Sequence, residues 1–193
     1  MGLLQGGHDG LEMRPLAPEE LSRAIEIDVT EDGTTILEQC GVQLGVRPET
    51  WSRRPRSAEG WAEFERHWRA FLSDGGMAIG AFDGGRLVGI ATLRRGIRPG
   101  MDQLEALFVD RAHRRQGIAS RLIDGIEAAA REGGARSLYV SATPSESAVG
   151  CYLSRGFVPT DEPVPELLEL EPEDVHMVLD LERERDAGQT GQP

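Results

Sequence analysis

Residues 102–143 read as a strand, a glycine-opened helix and a second strand, and that order restricts the fold more than any other feature of the chain. "DQLEALFV" (102–109) is a largely apolar strand. "GIASRLIDGIEAAAREGG" (117–134) carries apolar residues at 118, 119, 122, 123, 126, 129 and 130 before a Gly-Gly stop, and "SLYVSAT" (137–143) is β-branched and aromatic. A crossover of this kind lays the second strand parallel to the first, with the helix on one face of the sheet. Just upstream, "MAIGAF-DGG-RLVGIATLR" (77–94) sets two apolar strands around an Asp-Gly-Gly turn, a hairpin signal that demands antiparallel pairing. The two together predict an α/β (α+β) fold with a mixed, mostly antiparallel central sheet and helices on both faces.

The remaining segments fill in that outline. "LEMRPL" (11–16) reads as a first strand. "APEELSRAIEI" (17–27) reads as an amphipathic helix opened by Pro18, Glu19 and Glu20. In "SAEGWAEFERHWRAFLSDGG" (57–76), Trp61, Phe64, Trp68, Phe71 and Leu72 recur at helical spacing and read as a core-facing stripe. "PSESAVGCYLSRGF" (144–157) predicts a short helix ended by Gly156, and "VHMVLDL" (175–181) a final strand. Residues 30–50 mix turn formers with a short apolar run and read as a mobile loop with room for a short helix. The expected organisation is a disordered lead at 1–10, one domain over 11–181 and a disordered tail at 182–193.

Charge and cysteine content narrow the function classes. A formal net charge of −12 argues against non-specific nucleic-acid binding, which needs a basic face. All 21 basic residues are Arg, so no lysine nucleophile or Schiff base is available. No apolar run approaches the roughly 20 residues of a membrane helix. The N-terminus lacks a secretory pattern, which makes the cytoplasm the expected location. Cys40 and Cys151 read as unpaired thiols, and with four scattered His no metal site is expected.

Against that acidic background, "VDRAHRRQGIASRLI" concentrates Arg111, Arg114 and Arg115 immediately before Gly117. The first amides of a helix have no internal partners and carry the positive end of its dipole, so a strand–basic loop–helix junction is an anion site. Gly117 lets a phosphate approach the backbone without a Cβ in the way. Neither G-x-G-x-x-G nor G-K-[ST] is present, which disfavours the common nucleotide folds. A solvated basic loop is the plainer alternative for this stretch taken alone.

Arg114-Arg115-Gln116-Gly117-Ile118-Ala119 fits R/Q-x-x-G-x-G/A and resembles the acyl-CoA pyrophosphate loop of the GNAT superfamily of N-acetyltransferases. "SESAVGCYLSRGF" is similar to the family's second motif, N-x-x-A-x-x-x-Y-x-x-x-G-F, through Ser145, Ala148, Tyr152, Gly156 and Phe157. Ser145 stands where that motif has Asn. The likeness runs from about 77 to 158. It implies the GNAT fold and acetyl-CoA as acyl donor, the pyrophosphate lying on backbone amides from Arg114 through Ala119. It further implies pantetheine along Leu107, Phe108 and Val109 as an added strand, a cofactor contact at Ser145, and Tyr152 protonating the departing thiolate.

Acetyl transfer to an amine also needs the amine neutral. For a lysine-like amine, pKa about 10.4, that is about 3.4 units at pH 7, or roughly 4.6 kcal/mol. Glu105 is the leading base: it is a lone carboxylate mid-strand, and strict alternation would set it on the face opposite Leu104 and Ala106. Asp102 or a water relay is the fallback. His113 reads as a solvated loop residue or a phosphate contact, and Tyr139 as a packing residue. The acidic stretches 28–33 and 161–174 would flank the acceptor and favour a cation. The expected partners are acetyl-CoA and a small-molecule primary amine, with no nucleic acid or membrane and with a homodimer left open. A non-catalytic acyl-CoA-binding module of the same fold stays open as the alternative, and the acidic charge disfavours a toxin-type enzyme acting on charged tRNA.

Overall fold

Two glycines, Gly84 and Gly85, close the turn between β4 (Met77–Asp83) and β5 (Arg86–Arg98), the hairpin on which the sheet is built. In a computed structural model that describes residues 10–182, the strand order is β1-β4-β5-β6-β7-β9-β8. The new members are β1 (Leu11–Pro15), β6 (Met101–Val109), β7 (Ser137–Ala142), β8 (Val158–Pro159) and β9 (Val175–Asp180). Every pairing is antiparallel except β6 with β7. The lead at 1–9 and the tail at 183–193 lie outside the described residues.

Helix α2 (Ile118–Glu132) makes the crossover between β6 and β7. Its stripe of Ile118, Leu122, Ile123, Ile126 and Ala130 is fully buried against Val88, Ala91, Leu93 and Leu104. The short helix α3 (Glu146–Ser154) adds Val149 and Tyr152 to the same cluster. On the opposite face, α1 (Ala58–Ser73) lays Trp61, Trp68 and Phe71 over Phe82, Ile90 and Ala106. Helices thus cover both faces of a mixed sheet. Among the described residues, no helix is long and apolar enough to cross a membrane.

Three segments depart from expectation. Residues 18–26 wind as a 3-10 helix rather than an α-helix. Leu21, Ala24 and Ile27 are buried at a strict spacing of three, which suits three residues per turn, while Ile25 is left 55% exposed. Residues 30–50 are no mobile loop: β2 (Glu31–Cys40) and β3 (Gln43–Arg53) form a separate antiparallel hairpin. Its turn is Gly41-Val42, with φ +59 at Gly41, the glycine-first two-residue type. Along most of β2 odd-numbered residues face the protein and even-numbered ones face solvent, a strand period masked because many inward positions are polar. Hydrogen bonds dock it instead. Gln39 Nε2 donates to Thr160 O at 2.7 Å, Gln39 Oε1 accepts from His176 N at 2.7 Å, and Leu37 N donates to Pro144 O at 2.9 Å. Finally, a short helix α4 (Pro165–Leu170) forms inside the acidic stretch, where no helix was expected.

Tyr139, expected only to pack, is the hub that ties α4 to the sheet. Its hydroxyl donates to His176 Nδ1 at 2.7 Å and accepts from Val164 N at 3.2 Å, while His176 Nε2 donates to Glu171 O at 3.1 Å. Leu122, fully buried where α2 crosses β5, should cost about 2–5 kcal/mol of stability when truncated to Ala, measured by urea unfolding.

Candidate active site

The register of the sheet opens the site. β6 and β7 pair only from Met101↔Ser137 to Gln103↔Tyr139, and beyond those positions the two strands part. Asp110 N donates to Val88 O at 2.8 Å, so hydrogen-bonded pairs with β5 fall at even-numbered β6 residues after Glu105. The backbone groups of Leu107 and Val109 therefore face the gap. Phe108 does not, which corrects its place among the cofactor residues: its backbone faces β5, and its ring joins Trp61 at 5.5 Å and Phe64 at 5.7 Å on α1.

At the end of β6 the chain enters the basic loop. Asp110, 1% exposed, anchors it by accepting from Asp28 N, Ala112 N and Arg86 Nη2 at 3.0, 3.1 and 2.7 Å. Burial alone would raise this carboxyl; the amide of Asp28 and the ring of His113 outweigh it and hold its pKa below the usual range. His113 is neither a phosphate contact nor a solvated residue. It is clamped between Asp110 at 2.9 Å and Asp83 at 3.2 Å, and its hydrogen bond to Asp110 raises its pKa.

Beyond His113, Arg115 takes φ +64 and Gly117 φ +78, and Arg115 is the one non-glycine residue with positive φ among those described. Alternation of left-handed residues turns successive amides toward one side, the geometry of an anion nest. Among the described residues, the amides of Arg114 through Ser120 have no protein acceptor, and α2 has no side-chain cap. The space over Gly117 is open. Ile118 itself is buried and contributes only its backbone, while Ala119 is half-buried. The arginines are partly engaged elsewhere: Arg114 lies 3.9 Å from Glu31, Arg111 lies 3.9 Å from Asp32, and Gln116 donates to Ala112 O at 3.3 Å. Ser145 is 1% exposed and its hydroxyl caps α3, accepting from Ala148 N at 3.2 Å.

Glu105 occupies a β-bulge. Thr92 pairs with Ala106 and Leu93 with Leu104, leaving Glu105 opposite no residue. Leu104 then packs on the α2 face and Ala106 on the α1 face, so the expected alternation fails and Glu105 turns toward α1. Its Oε2 accepts from Trp68 Nε1 at 2.7 Å and Thr92 Oγ1 at 2.8 Å, and its Oε1 lies 3.2 Å from His67 Nε2. Asp102, the fallback base, is 6% exposed and bound to Arg95 Nη1 at 3.0 Å and Gly96 N at 2.9 Å.

Tyr152, 6% exposed, packs its ring 5.4 Å from Phe157, and among the described residues its hydroxyl has no hydrogen-bond partner. Burial raises its pKa, so it remains a neutral donor. Nearby, burial and then repulsion from Glu171 push Asp174 up to about 6. Glu171 is raised as well, by desolvation and by Glu105. The sequence marked Trp68 only as part of a core stripe and Glu171 and Asp174 only within the acidic stretch 161–174, and it did not mark His67 or Thr92, since nothing in the order of residues places them beside Glu105 or Tyr152.

Two outcomes follow. Arg115→Gly relieves about 1–2 kcal/mol of left-handed strain against about 0.5–1 kcal/mol of added chain entropy. It should therefore stabilise the free protein by about 1 kcal/mol or less in thermal unfolding. Burial and Glu171 raise Asp174 to about 6, so any cation held beside it, with spermidine as the probe, should bind more tightly as pH rises through that value. Asp174→Asn should abolish that step, as read by calorimetric titration on either side of it.

Residues 48–167 match the family model described as an acetyltransferase (GNAT) domain. No curated protein matches the chain. Among solved structures, nourseothricin acetyltransferase superposes with a TM-score of 0.69 at 16% identity, covering 89% of this chain and 99% of its own. A candidate streptothricin acetyltransferase from Bacillus anthracis, solved with acetyl coenzyme A, gives 0.66 at 17% identity, with coverage of 89% and 99%. The ribosomal-protein-S18-alanine N-acetyltransferase of Escherichia coli gives 0.59 at 15%, with coverage of 92% and 97%. These likenesses show a shared fold, and with the family match over the strand–loop–helix and the second motif they place the chain in the GNAT acetyltransferase family.

Proposed function

We propose that residues 11–181 act as an N-acetyltransferase that passes the acetyl group of acetyl-CoA directly to a primary amine of a small molecule. The observation that carries this reading is the run of acceptor-free amides from Arg114 to Ser120 at the mouth of the β6–β7 gap. Those amides suit a pyrophosphate, and the exposed backbone of Leu107 and Val109 suits an amide-bearing arm laid along it as a further strand. Acetyl-CoA supplies an acetyl thioester there.

The protein's own groups do the rest. Glu105, held by Trp68 and Thr92, takes a proton from the incoming ammonium at Oε1. Tyr152 offers its hydroxyl proton to the departing sulfur. With its pKa raised by burial, donation of a hydrogen bond is favoured over complete transfer. Ser145 positions the start of α3, the helix that carries Tyr152. A cationic acceptor is supported by the carboxylates Glu105, Glu171 and Asp174, since Glu171 lies close enough to both of the others to be repelled by them. The resemblance to nourseothricin and streptothricin acetyltransferases makes a streptothricin-type amine the first acceptor to try.

The test is a calorimetric titration of acetyl-CoA, followed by an amine panel with nourseothricin and spermidine. The wild type should bind and Gly117→Glu should not, since the substitution places a charged side chain at φ +78 over the nest. Tyr152→Phe and Glu105→Gln should each lower turnover about 100-fold or more. No binding by the wild type sinks the reading. Binding without transfer to any amine returns the chain to a non-catalytic acyl-CoA module.

A further inference from the structure

Glu105 cannot hold the acceptor's proton for the next turnover, and its surroundings decide where that proton goes. The carboxylate is sheltered, with 11% of its side chain exposed, and its Oε2 is taken by the indole of Trp68 and the hydroxyl of Thr92. The other oxygen faces His67 Nε2 at 3.2 Å. His67 stands on α1 with its ring edge-on to Phe71 at 5.6 Å and 79°, and half of its side chain, 50%, is open to solvent. The imidazole therefore bridges a sheltered carboxylate and bulk water.

We propose that His67 relays the acceptor's proton from Glu105 Oε1 to solvent. This rests on the reading of Glu105 as the base. An N–H bond of the ammonium breaks as an O–H bond forms at Glu105 Oε1, leaving a neutral amine and a carboxylic acid. That proton then passes to the lone pair of His67 Nε2, which restores the carboxylate and leaves an imidazolium. The imidazolium releases one proton to water, and exchange at the exposed ring returns Nε2 to its unprotonated form. Charge and protons balance with no further reactant. His67 is a positioning and relay residue, since it acts through Glu105.

The groups facing His67 suit the task. Glu105 from β6 raises its pKa foremost, Glu171 from the segment after α4 adds to this, and partial desolvation and Arg94 from β5 oppose. Below its pKa the ring is already protonated and cannot receive, so kcat/KM should rise with pH through the imidazole titration.

The experiment pairs His67→Gln and His67→Ala with Glu105→Gln, using acetyl-CoA and the fastest amine of the panel, after titration shows that the variants still bind acetyl-CoA. His67→Gln should lose about tenfold or more in kcat/KM together with the acidic limb of its pH profile, and added imidazole should restore His67→Ala. By NMR, the His67 ring should titrate above the usual imidazole value in the wild type and fall back in Glu105→Gln. A His67→Gln enzyme with wild-type kcat/KM and pH profile overturns the relay, as does a His67 titration indifferent to Glu105→Gln. If Glu105→Gln is crippled while His67→Gln is not, only the relay falls. If neither matters, Glu105 is not the base.

Discussion

Strand β6 is committed to β5 along most of its length but to β7 for only three residue pairs, and the rest of the site depends on that early parting. Backbone amides and carbonyls shielded from water must find partners. Past Gln103 and Tyr139 the facing edges of two parallel strands lack each other, so whatever lies between them must hydrogen-bond as a strand would. The same divergence carries the end of β6 to the N-terminus of α2, where a second set of amides waits without acceptors. Two deficits, one along an edge and one at a helix start, suit the elongated donor proposed above, with its amide-bearing arm and anionic group.

On the proposed reading, the chain needs a positive locus for a pyrophosphate and, close by, carboxylates for a cationic acceptor. Of the loop arginines, Arg114 and Arg111 sit near Glu31 and Asp32 on the hairpin, and Asp110 is spent on anchoring the loop. Fixed dipoles from the nest and the helix N-terminus act over short range. Glu105, Glu171 and Asp174 form a separate acidic group away from the loop. Arg115, held at φ +64, stores backbone strain at the point where the nest turns.

Legibility in the sequence followed the physics of each segment. The core helices and the β4–β5 hairpin were readable because their buried faces are apolar and periodic: Leu122, Ile123 and Ile126 announce α2, and Trp61, Trp68 and Phe71 announce α1. The β2–β3 hairpin was not readable, because the inward-facing Thr35 and Gln39 are polar and Gln39 docks by hydrogen bonds, which leave no hydropathy alternation. The helix at 18–26 was readable as a helix but not as a 3-10 turn, since spacings of three and four overlap over so short a span. Glu105 was readable as a lone carboxylate in an apolar strand. Its bulge was not, because register is a property of two strands. Asp174 and Glu171 were two acids among many, and only the Tyr139–His176 network folds their segment back onto the sheet.

By itself, the order of residues determined the strand–helix–strand crossover, the basic loop before Gly117 and the spacing from that loop to Tyr152. These are local properties: apolar period, turn chemistry and the dipole of a helix start act within a few residues. Tertiary structure alone decided where β6 and β7 part, which way Glu105 points, that Asp102 and His113 are held by charged partners, and that His67 stands beside Glu105. Each of those depends on contacts between segments far apart in the chain, set by packing and register rather than by any pattern within one segment.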